Sequence, residues 1–269
     1  MNQQLTPMER VTLARLPQRP NAMYYIDALL TDFYPLKGDR LSKEDASVIG
    51  GIGRFHEIPV TVLANRKGAT LEDNLTYNFG MSLPSGYRKV MRLAKQAEKF
   101  NRPIITFIDT PGAYPGIEAE MQGQGEAIAQ CLALFSDLTV PVISIIIGEG
   151  GSGGALALGV SDHMIMLEHA IYSILSPEGF ASILWKDASR KEEAAKIMKL
   201  TSYDLEQLGV VDTIIAEGEG SVIDHPDYVV GQLDTILQQQ LMLLQPLEPS
   251  VLIHQRYQKF RKLGTITTY

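Results

Sequence analysis

The most constraining feature of the sequence is a glycine-rich turn between an apolar strand and a short helix. Residues 141–160 read PVISIIIGEGGSGGALALGV, so a run predicted as a buried strand meets five glycines within the seven residues 148–154. Such a turn leaves bare backbone N–H groups at a helix N-terminus, where the helix macrodipole adds positive potential. The turn therefore predicts a site for an anion or a developing oxyanion.

One motif in this turn is that of a dinucleotide site. Gly148, Gly150 and Gly153 spell G-x-G-x-x-G, and Glu168 lies at the distance at which such a site places its ribose-binding carboxylate. However, only a short helix fits between Gly153 and the next strand, whereas a βαβ crossover needs about ten residues or more. Under the other interpretations of the turn, Glu168 is expected to be a surface charge at a strand end.

A second motif is the nucleophile elbow of serine hydrolases, because Gly150, Ser152 and Gly154 spell G-x-S-x-G. This hypothesis needs an acid and a histidine downstream, for which Asp224 and His225 are the candidates. In a third interpretation the turn supplies only backbone N–H donors to an oxyanion, and Ser152 is a small residue that hydrogen-bonds within the turn.

The rest of the chain alternates predicted strands with predicted helices. Strands are predicted at 58–66, 103–109, 141–147, 163–168 and 212–217. Helices are predicted at 85–100, 121–136, 176–185 and through 190–208, with a short helix after the glycine turn and two closing helices within 226–263. This order predicts an α/β fold with a parallel sheet that helices cover on both faces, and ligands gather at the carboxyl ends of such strands. Two glycine-rich loops, DTPGAYPG at 109–116 and GEGGSGG at 148–154, leave such ends and are expected to face one pocket.

Composition narrows the class of protein. Hydrophobic residues make up 45% of the 269 residues, charged residues make up 20%, and no linker divides the chain, which favours one domain over 1–269. A net charge of −7 argues against broad electrostatic binding of nucleic acid. The single cysteine, Cys131, excludes an internal disulfide, and no apolar run approaches the length of a bilayer span. We expect a cytoplasmic protein without a metal site.

Several long motifs resemble one family in the same order along the chain. They are NFGMSLPSGYRK at 78–89, FIDTPGAYPG at 107–116, GEGGSGGALALG at 148–159, and YSILSPEG followed by ASILWK at 172–186. Together they resemble the carboxyltransferase alpha subunits of bacterial acetyl-CoA carboxylases over roughly residues 20–264. The resemblance implies a crotonase-like (ClpP/crotonase) spiral of repeated ββα units. It divides the chain into an N-terminal helical segment at 1–36, a core at 37–218 and C-terminal helices at 226–264.

The resemblance implies that the chain transfers a carboxyl group from carboxybiotin to acetyl-CoA, giving malonyl-CoA for fatty acid synthesis. It implies a carboxyltransferase beta subunit as partner, in an assembly of two alpha and two beta chains, with zinc in the beta subunit and none in this chain. The biotin carboxyl carrier protein and biotin carboxylase are the further expected partners. Transfer to another acyl-CoA, biotin-dependent decarboxylation and a non-catalytic assembly role stay open as alternatives.

The resemblance also assigns site residues. Backbone N–H groups of Gly153 and Gly154 are expected to stabilise the oxyanion on biotin, and a side chain at either position is expected to block close approach. Five further residues are expected to line the cofactor-binding site: Gly150, Gly151, Gly112, Ala113 and Tyr114. The sequence departs from the family pattern at LKGDR (36–40), Glu118 and Phe180, none of which lies in the glycine turn.

Charged and apolar side chains outside the loops have less specific interpretations. Asp109 is expected to cap the turn after its strand rather than to act as a base. The basic residues that could meet carboxylate or phosphate groups are expected to lie on solvated surface: Arg66, Lys67, Arg88, Lys89, Arg92 and Lys186. In the last helix an apolar stripe needs a partner, either a second chain or this one; it comprises Ile253, Tyr257, Phe260 and Leu263.

Overall fold

An eight-stranded mixed sheet organises the chain. The computed structural model describes residues 5–264, so the ends of the predicted domain, 1–4 and 265–269, lie outside the described residues. The sheet order is β1-β2-β3-β4-β5-β6-β8, and β7 pairs with β5. The strands are β1 (Thr31–Pro35), β2 (Val48–Phe55), β3 (Ile58–Asn65), β4 (Ile104–Thr110), β5 (Val142–Gly151), β6 (His163–Leu167), β7 (Ile171–Ser173) and β8 (Thr213–Ile215).

Twelve α-helices lie within residues 5–264, and none of them is long and apolar enough to cross a membrane. They are α1 (Pro7–Ala14), α2 (Ala22–Leu29), α3 (Leu71–Thr76), α4 (Pro84–Lys99), α5 (Ile117–Met121), α6 (Gln124–Asp137), α7 (Ser152–Gly159), α8 (Pro177–Trp185), α9 (Lys191–Met198), α10 (Ser202–Gln207), α11 (Pro226–Leu244) and α12 (Pro249–Lys262). The predicted strands and helices are therefore present, with shifted ends.

The sheet is not wholly parallel, which corrects the prediction. Strand β1 pairs with β2, and β2 with β3, in antiparallel register, whereas the other pairs are parallel. Strand β2 was missed because its sequence, VIGGIGRF, is rich in glycine, which weakens a strand signal. The glycines serve packing here: a Cβ on Gly50 would lie 2.3 Å from Leu93 Cδ1, and one on Gly51 would lie 2.6 Å from the Phe33 ring.

Strands β4 and β5 form the buried centre of the sheet. Every residue of both strands is buried, as expected for parallel strands that helices cover on both faces. Their parallel register, with Ile104 opposite Val142, brings their carboxyl ends to the same edge. Within the pair, the Thr106 hydroxyl donates a hydrogen bond to the Ser144 hydroxyl at 2.9 Å, so even the polar side chains at the centre are paired.

Helix α4 differs from its prediction at its start and on its polar face. It begins at Pro84 rather than being capped by Ser85, and the Leu83 N–H donates to Asp45 Oδ2 at 2.7 Å. Lys89 does not lie on a solvated face, because only 2% of the residue is exposed. Its ammonium donates to the Val48 carbonyl at 2.8 Å and pairs with Glu44. Burial lowers the pKa of Lys89 despite that pairing.

A buried arginine anchors the C-terminal helix α12 to the chain itself. Arg256 is 1% exposed and forms a bidentate ion pair with Asp162, at 2.8 Å for each bond. Its guanidinium also donates to the backbone carbonyls of Phe135, Leu138 and Val140. The predicted apolar stripe does not dominate this contact, since Leu252 and Arg256 are the buried residues of the helix.

The N-terminal segment 1–36, which we expected to be helical, contains α1 and α2 but ends in β1. A capping box starts α1, in which the Thr6 side chain accepts from Glu9 N–H and the Glu9 side chain accepts from Thr6 N–H. Between the two helices, Arg19 forms a buried bidentate pair with Glu217 and donates to the Ile147 carbonyl at 2.6 Å. This pair fixes the N-terminal segment beside the end of β5.

Candidate functional site

The two glycine-rich loops meet backbone to backbone at the carboxyl ends of β4 and β5. A Cβ built on Gly151 would lie 2.1 Å from the Pro111 carbonyl oxygen. One on Gly154 would lie 2.6 Å from the Gly112 carbonyl carbon and 2.8 Å from the Ala113 nitrogen. Because backbone fills these spaces, only glycine fits at either position without moving the facing loop. The structure thus places Gly112 and Ala113 against Gly151 and Gly154.

Gly153 differs from its neighbours. A Cβ on Gly153 would meet only the Ile128 side chain, at 3.4 and 3.6 Å, which a small movement relieves. An added side chain therefore clashes within the chain at Gly154 but not at Gly153, and the expectation that it blocks close approach of a ligand stays a prediction. Gly150 faces away from the second loop, since a Cβ there would lie 2.8 Å from the Tyr172 ring.

The N-terminus of α7 presents free backbone donors. The glycines at 148–151 continue β5 rather than forming a turn, so the chain changes direction only at the junction of Gly151 and Ser152. The first N–H groups of a helix have no partner within it, and here the N-cap Gly151 supplies no side-chain acceptor. Within residues 5–264, no loop carbonyl accepts from the amides of Gly153 or Gly154 either. These amides are therefore the candidate donors of the site.

Thr110 fixes the shape of the facing loop. Its hydroxyl donates to the Gly112 carbonyl at 2.7 Å and accepts from the Gly112 N–H at 3.1 Å. Gly112 has a φ of +153°, which few other residues adopt. The Tyr114 carbonyl accepts from Gln124 Nε2 at 3.0 Å, and charge on Glu118 together with its hydrogen bond raises the pKa of the Tyr114 phenol. The Tyr114 ring therefore lies by Glu118 rather than over α7.

Ser152 occupies the strand-to-helix junction in a left-handed conformation, with a φ of +48°. The exposed serine resembles a nucleophile elbow in backbone shape only. Among the described residues, no histidine lines the cavity beside it. Asp224 instead accepts from Ser221 N–H, and His225 precedes α11. The geometry does not assemble the partners that the serine-hydrolase hypothesis requires.

Glu168 is held by structural hydrogen bonds, which corrects its interpretation as a surface charge. It accepts from Glu217 N–H at 3.0 Å and from the Tyr203 hydroxyl at 2.8 Å, and its side chain is 17% exposed. A carboxylate engaged in this way on both oxygens is not free to bind a ribose. Glu168 therefore does not fit the role of the ribose-binding carboxylate that the dinucleotide hypothesis requires.

An apolar cavity of about 330 Å³ lies beside Ser152. Leu156, Ile174, Phe180 and Leu208 contribute much of its lining. Large fractions of three of these side chains are exposed: 41% for Leu156, 73% for Ile174 and 59% for Leu208. No sequence signal predicted this cavity, because its residues come from separate helices and loops and no sequence spacing joins them.

A network of charged side chains lies at the carboxyl ends of β4 and β5. It comprises Lys67, Asp109, Glu149, Arg15 and Glu178. Lys67 Nζ lies 2.8 Å from Asp109 Oδ1 and 2.9 Å from Glu149 Oε2. Arg15 Nε donates to the other oxygen of Glu149 at 2.8 Å, and Arg15 Nη1 donates to Glu178 at 3.0 Å. A cavity of about 550 Å³ opens over Arg15, Lys67, Asp109 and Glu149.

The network perturbs the pKa values of its members. Burial opposes ionisation of Glu149, but the charges and hydrogen bonds of Lys67 and Arg15 outweigh burial and lower its pKa. Burial likewise opposes the charged form of Lys67, and its two carboxylate partners outweigh burial and raise its pKa. Each group is therefore held in its charged form by its partners.

Two expectations about these residues are wrong. Asp109 does not cap its own turn, because its Oδ1 accepts from the Glu149 N–H of the neighbouring strand at 2.9 Å. Lys67 is not a solvated surface charge, since its side chain is 19% exposed and ion-paired. The only sequence signal for the network was that Asp109 and Glu149 interrupt apolar strands.

The other candidate basic residues lie apart from the loops or pair with backbone. Arg88 donates to the Gln122 carbonyl and Arg92 to the Gly38 carbonyl. Arg66 lies 4.0 Å from the centroid of the Tyr77 ring, and Lys186 is exposed at the end of α8. Among residues 5–264, no three histidine, cysteine or acidic side chains are placed to hold a metal ion.

Known proteins are similar to this chain over nearly its full length. The model of the family described as acetyl co-enzyme A carboxylase carboxyltransferase-like matches residues 1–264. The acetyl-coenzyme A carboxylase carboxyl transferase subunit alpha of Clostridium botulinum (strain Eklund 17B / Type B) is 53% identical over 261 residues, which cover 97% of this chain and 95% of that protein. The subunit of the same name from Geobacillus kaustophilus is 51% identical, over 98% of this chain and 81% of its own.

Solved structures share the fold at low sequence identity. Transcarboxylase 12S, with methylmalonyl-coenzyme A bound, superposes with a TM-score of 0.68 and 18% identity over 88% of this chain. The beta subunit of P. aeruginosa geranyl-CoA carboxylase gives a TM-score of 0.66 and 13% identity over 94% of this chain. This chain spans 45% of the length of each of these two chains. These likenesses show that the fold is the crotonase-like α/β fold.

Proposed function

The chain belongs to the acetyl co-enzyme A carboxylase carboxyltransferase-like family, and from that premise we propose how its two glycine-rich loops work. It is the alpha subunit of the carboxyltransferase component of acetyl-CoA carboxylase. That enzyme transfers a carboxyl group from carboxybiotin to acetyl-CoA and forms malonyl-CoA. The observation that carries the proposal is the uncapped N-terminus of α7, enclosed by the backbone of the second loop.

The amides of Gly153 and Gly154 are proposed to stabilise the oxyanion that forms on the ureido group of biotin when carboxyl transfer begins. Donors at a strand-to-helix junction are already oriented, so they need little reorganisation as charge develops. The positive end of the α7 macrodipole adds to their effect. Loss of one such donor typically lowers kcat by about 10²- to 10³-fold.

The facing loop is proposed to complete the site. Contact with Gly151 and Gly154 holds Gly112 and Ala113 at the start of α7. Thr110 occupies the Gly112 N–H with an internal hydrogen bond, which leaves the Ala113 N–H as the donor of this loop. Gly150 and Tyr114 contribute through packing, since each faces away from the amides of α7.

The carboxylates of the network around Lys67 are not proposed as general bases. Lys67 is ion-paired with both Asp109 and Glu149, and Arg15 pairs with Glu149 as well. A carboxylate that is stabilised by a cation is a weaker proton acceptor than a free one. Proton removal from acetyl-CoA is therefore assigned to groups outside this network.

A beta subunit is proposed to cover the apolar rim beside the site. Leu156, Ile174 and Leu208 surround the cavity next to Ser152, and each is more than 40% exposed. Large exposed apolar patches beside a polar site mark protein interfaces. We propose an assembly of two alpha and two beta chains with zinc in the beta chain, served by the biotin carboxyl carrier protein and biotin carboxylase in the cytoplasm.

Malonyl-CoA-dependent carboxylation of free biotin tests this function. The chain alone, the chain with a carboxyltransferase beta subunit, and the same mixture with Gly154→Val are compared, with Gly231→Val as the control. A Cβ on Gly231 meets nothing within 4 Å, and this residue is exposed on α11. We expect activity only in the mixture, loss with Gly154→Val, and retention with Gly231→Val.

Other outcomes would contradict parts of the proposal. Equal activity of Gly154→Val and Gly231→Val would remove the oxyanion role. A mixture that acts on propionyl-CoA but not on acetyl-CoA would reassign the substrate, and inactivity with every acyl-CoA would support an assembly role instead.

A further inference from the structure

Lys67 bridges the two strands that lead into the site loops. It follows β3, which ends at Asn65, and its side chain reaches across the carboxyl ends of β4 and β5. Its ammonium lies 2.8 Å from Asp109 Oδ1 on β4 and 2.9 Å from Glu149 Oε2 on β5. The nitrogen thus joins two carboxylates from neighbouring strands in one place.

Each carboxylate stands close to one of the loops. Asp109 lies two residues before Pro111, and Glu149 lies three residues before Ser152. The two are also joined directly, because Asp109 Oδ1 accepts from Glu149 N–H at 2.9 Å. The register of β4 and β5 shifts between Ile108 and Thr110 and resumes with Thr110 opposite Gly150, so Asp109 lies at the irregularity itself, where the regular ladder is interrupted.

Arg15 extends the network to two further elements. It follows α1 and pairs with Glu149 at 2.8 Å, and it pairs with Glu178 in the first turn of α8 at 3.0 Å. Its side chain is 31% exposed, so this end of the network is closer to solvent than Lys67. Arg15 can neutralise Glu149 in the absence of Lys67, but it makes no contact of this kind with Asp109.

We propose that Lys67 is a positioning residue that holds the 110–116 loop against the start of α7, and that this spacing sets the rate of carboxyl transfer. The proposal rests on the proposed function of the two loops. Without the ammonium, Asp109 has no cationic partner among residues 5–264, and it lies beside the Glu149 carboxylate, which Arg15 alone then pairs. Repulsion between the two carboxylates pushes the strand ends apart and withdraws the second loop from Gly154.

The proposal predicts a specific pH dependence for a variant without the ammonium. The charged groups that face Asp109 and Glu149 are Lys67 after β3, Arg15 after α1 and Glu178 on α8, and Tyr25 on α2 lies near Asp109. In Lys67→Met, Glu149 loses one of the two cations that lower its pKa, so it takes up a proton at a higher pH than in the wild type. Activity of the variant therefore recovers as the pH falls and Glu149 becomes neutral, and it is lost again as Glu149 ionises.

The test uses the chain assembled with a beta subunit and compares Lys67→Met with Lys67→Met/Asp109→Asn. The single variant is expected to lower kcat about 10²-fold at pH 8, the typical loss for a displacement near 1 Å, with KM for acetyl-CoA unchanged. The double variant removes the repulsion and keeps an oxygen acceptor at position 109, so most of kcat should return. Lys95→Met is the control, since Lys95 is exposed on α4.

Hydrogen exchange of the isolated chain gives a readout that does not depend on activity. We expect faster exchange over 109–116 and 148–156 in Lys67→Met, and wild-type rates in the double variant and in Lys95→Met. If the wild-type assembly proves inactive, the proposed function fails while the exchange result still tests Lys67. Unchanged exchange and kcat in Lys67→Met would overturn the proposal. A loss of kcat that Asp109→Asn does not restore would also overturn it, because Lys67 would then act on the substrate itself.

Discussion

The contact between Gly154 and the 110–116 loop gives a quantitative prediction for Gly154→Ala. The added Cβ would lie 2.6 Å from the Gly112 carbonyl carbon. Carbon atoms in ordinary contact lie about 3.5–4.0 Å apart, so the loop or the helix must move by about 1 Å. The atoms in the way are backbone, so no rotamer change can relieve the clash. A shift of this size typically lowers kcat by about 10²-fold, and forced overpacking costs about 1–3 kcal/mol of stability.

The assay is malonyl-CoA-dependent biotin carboxylation in the presence of the beta subunit, with unfolding in urea measured in parallel. Gly153→Ala is the matched control, because it adds the same methyl group one residue earlier, where only Ile128 lies within contact. Alanine also favours a helix over glycine by about 1 kcal/mol, so Gly153→Ala should be as stable as the wild type or more stable. We expect its kcat to stay near that of the wild type.

The prediction is tested by comparing the kcat and the stability of Gly154→Ala with those of Gly153→Ala. If Gly154→Ala retained the activity and stability of Gly153→Ala, the argument that the loops are spaced by bare backbone contact would be refuted. If both variants lost activity equally with stability unchanged, any side chain at the start of α7 would obstruct the site, and loop displacement would not be the cause.

Three further predictions concern stability and reactivity. Arg256→Met should lower the free energy of unfolding by about 3–5 kcal/mol in urea, since it leaves a buried carboxylate unpaired, whereas the exposed Gln255→Met should not. Burial opposes ionisation of Glu217, but the Arg19 charge and its hydrogen bonds lower its pKa. This stabilisation is present above the unfolded pKa of about 4.3 and is lost as the pH falls through the folded value, so the stability deficit of Arg19→Met should shrink in acid. Burial raises the pKa of Cys131 to about 12, so a thiol reagent at pH 8 should react only on unfolding.

The predictions for Arg256→Met, Arg19→Met and Cys131 would each be contradicted by one result. Equal urea midpoints for Arg256→Met and Gln255→Met would show that α12 is not anchored through its arginine. A stability deficit of Arg19→Met that stays constant from pH 7 to pH 3 would show that the ion pair with Glu217 is not what the arginine contributes. Rapid labelling of Cys131 in the native chain would show that the thiol is reached by solvent without unfolding.

Local signals predicted several elements correctly. Ser176 and Pro177 predicted the start of α8, and the Ser176 hydroxyl accepts from Gly179 N–H at 3.0 Å in a helix that ends at Trp185 as expected. The two glycine-rich loops were expected to face one pocket, and the structure brings their backbones into contact. Such features depend on neighbouring residues, which is why the order of residues reveals them.

Features that depend on distant residues were not predictable in the same way. Strand β2 is a strand because Leu93 and Phe33 pack against its glycines, not because its own residues favour extended structure. Lys89 fits the polar face of α4 by periodicity, yet Glu44 and the Val48 carbonyl bind its ammonium in the interior. Periodicity measures a helix alone and cannot detect a partner from another element.

The sequence by itself determined the family, the α/β class and the glycine loops, because motifs such as FIDTPGAYPG and GEGGSGGALALG are contiguous in the chain. Tertiary structure alone decided which glycine is sterically indispensable, since Gly153 and Gly154 are alike as letters but face a flexible side chain and a rigid backbone respectively. It also decided that Lys67 joins Asp109 and Glu149. These distinctions depend on distances between separate segments, which are fixed only when the sheet packs.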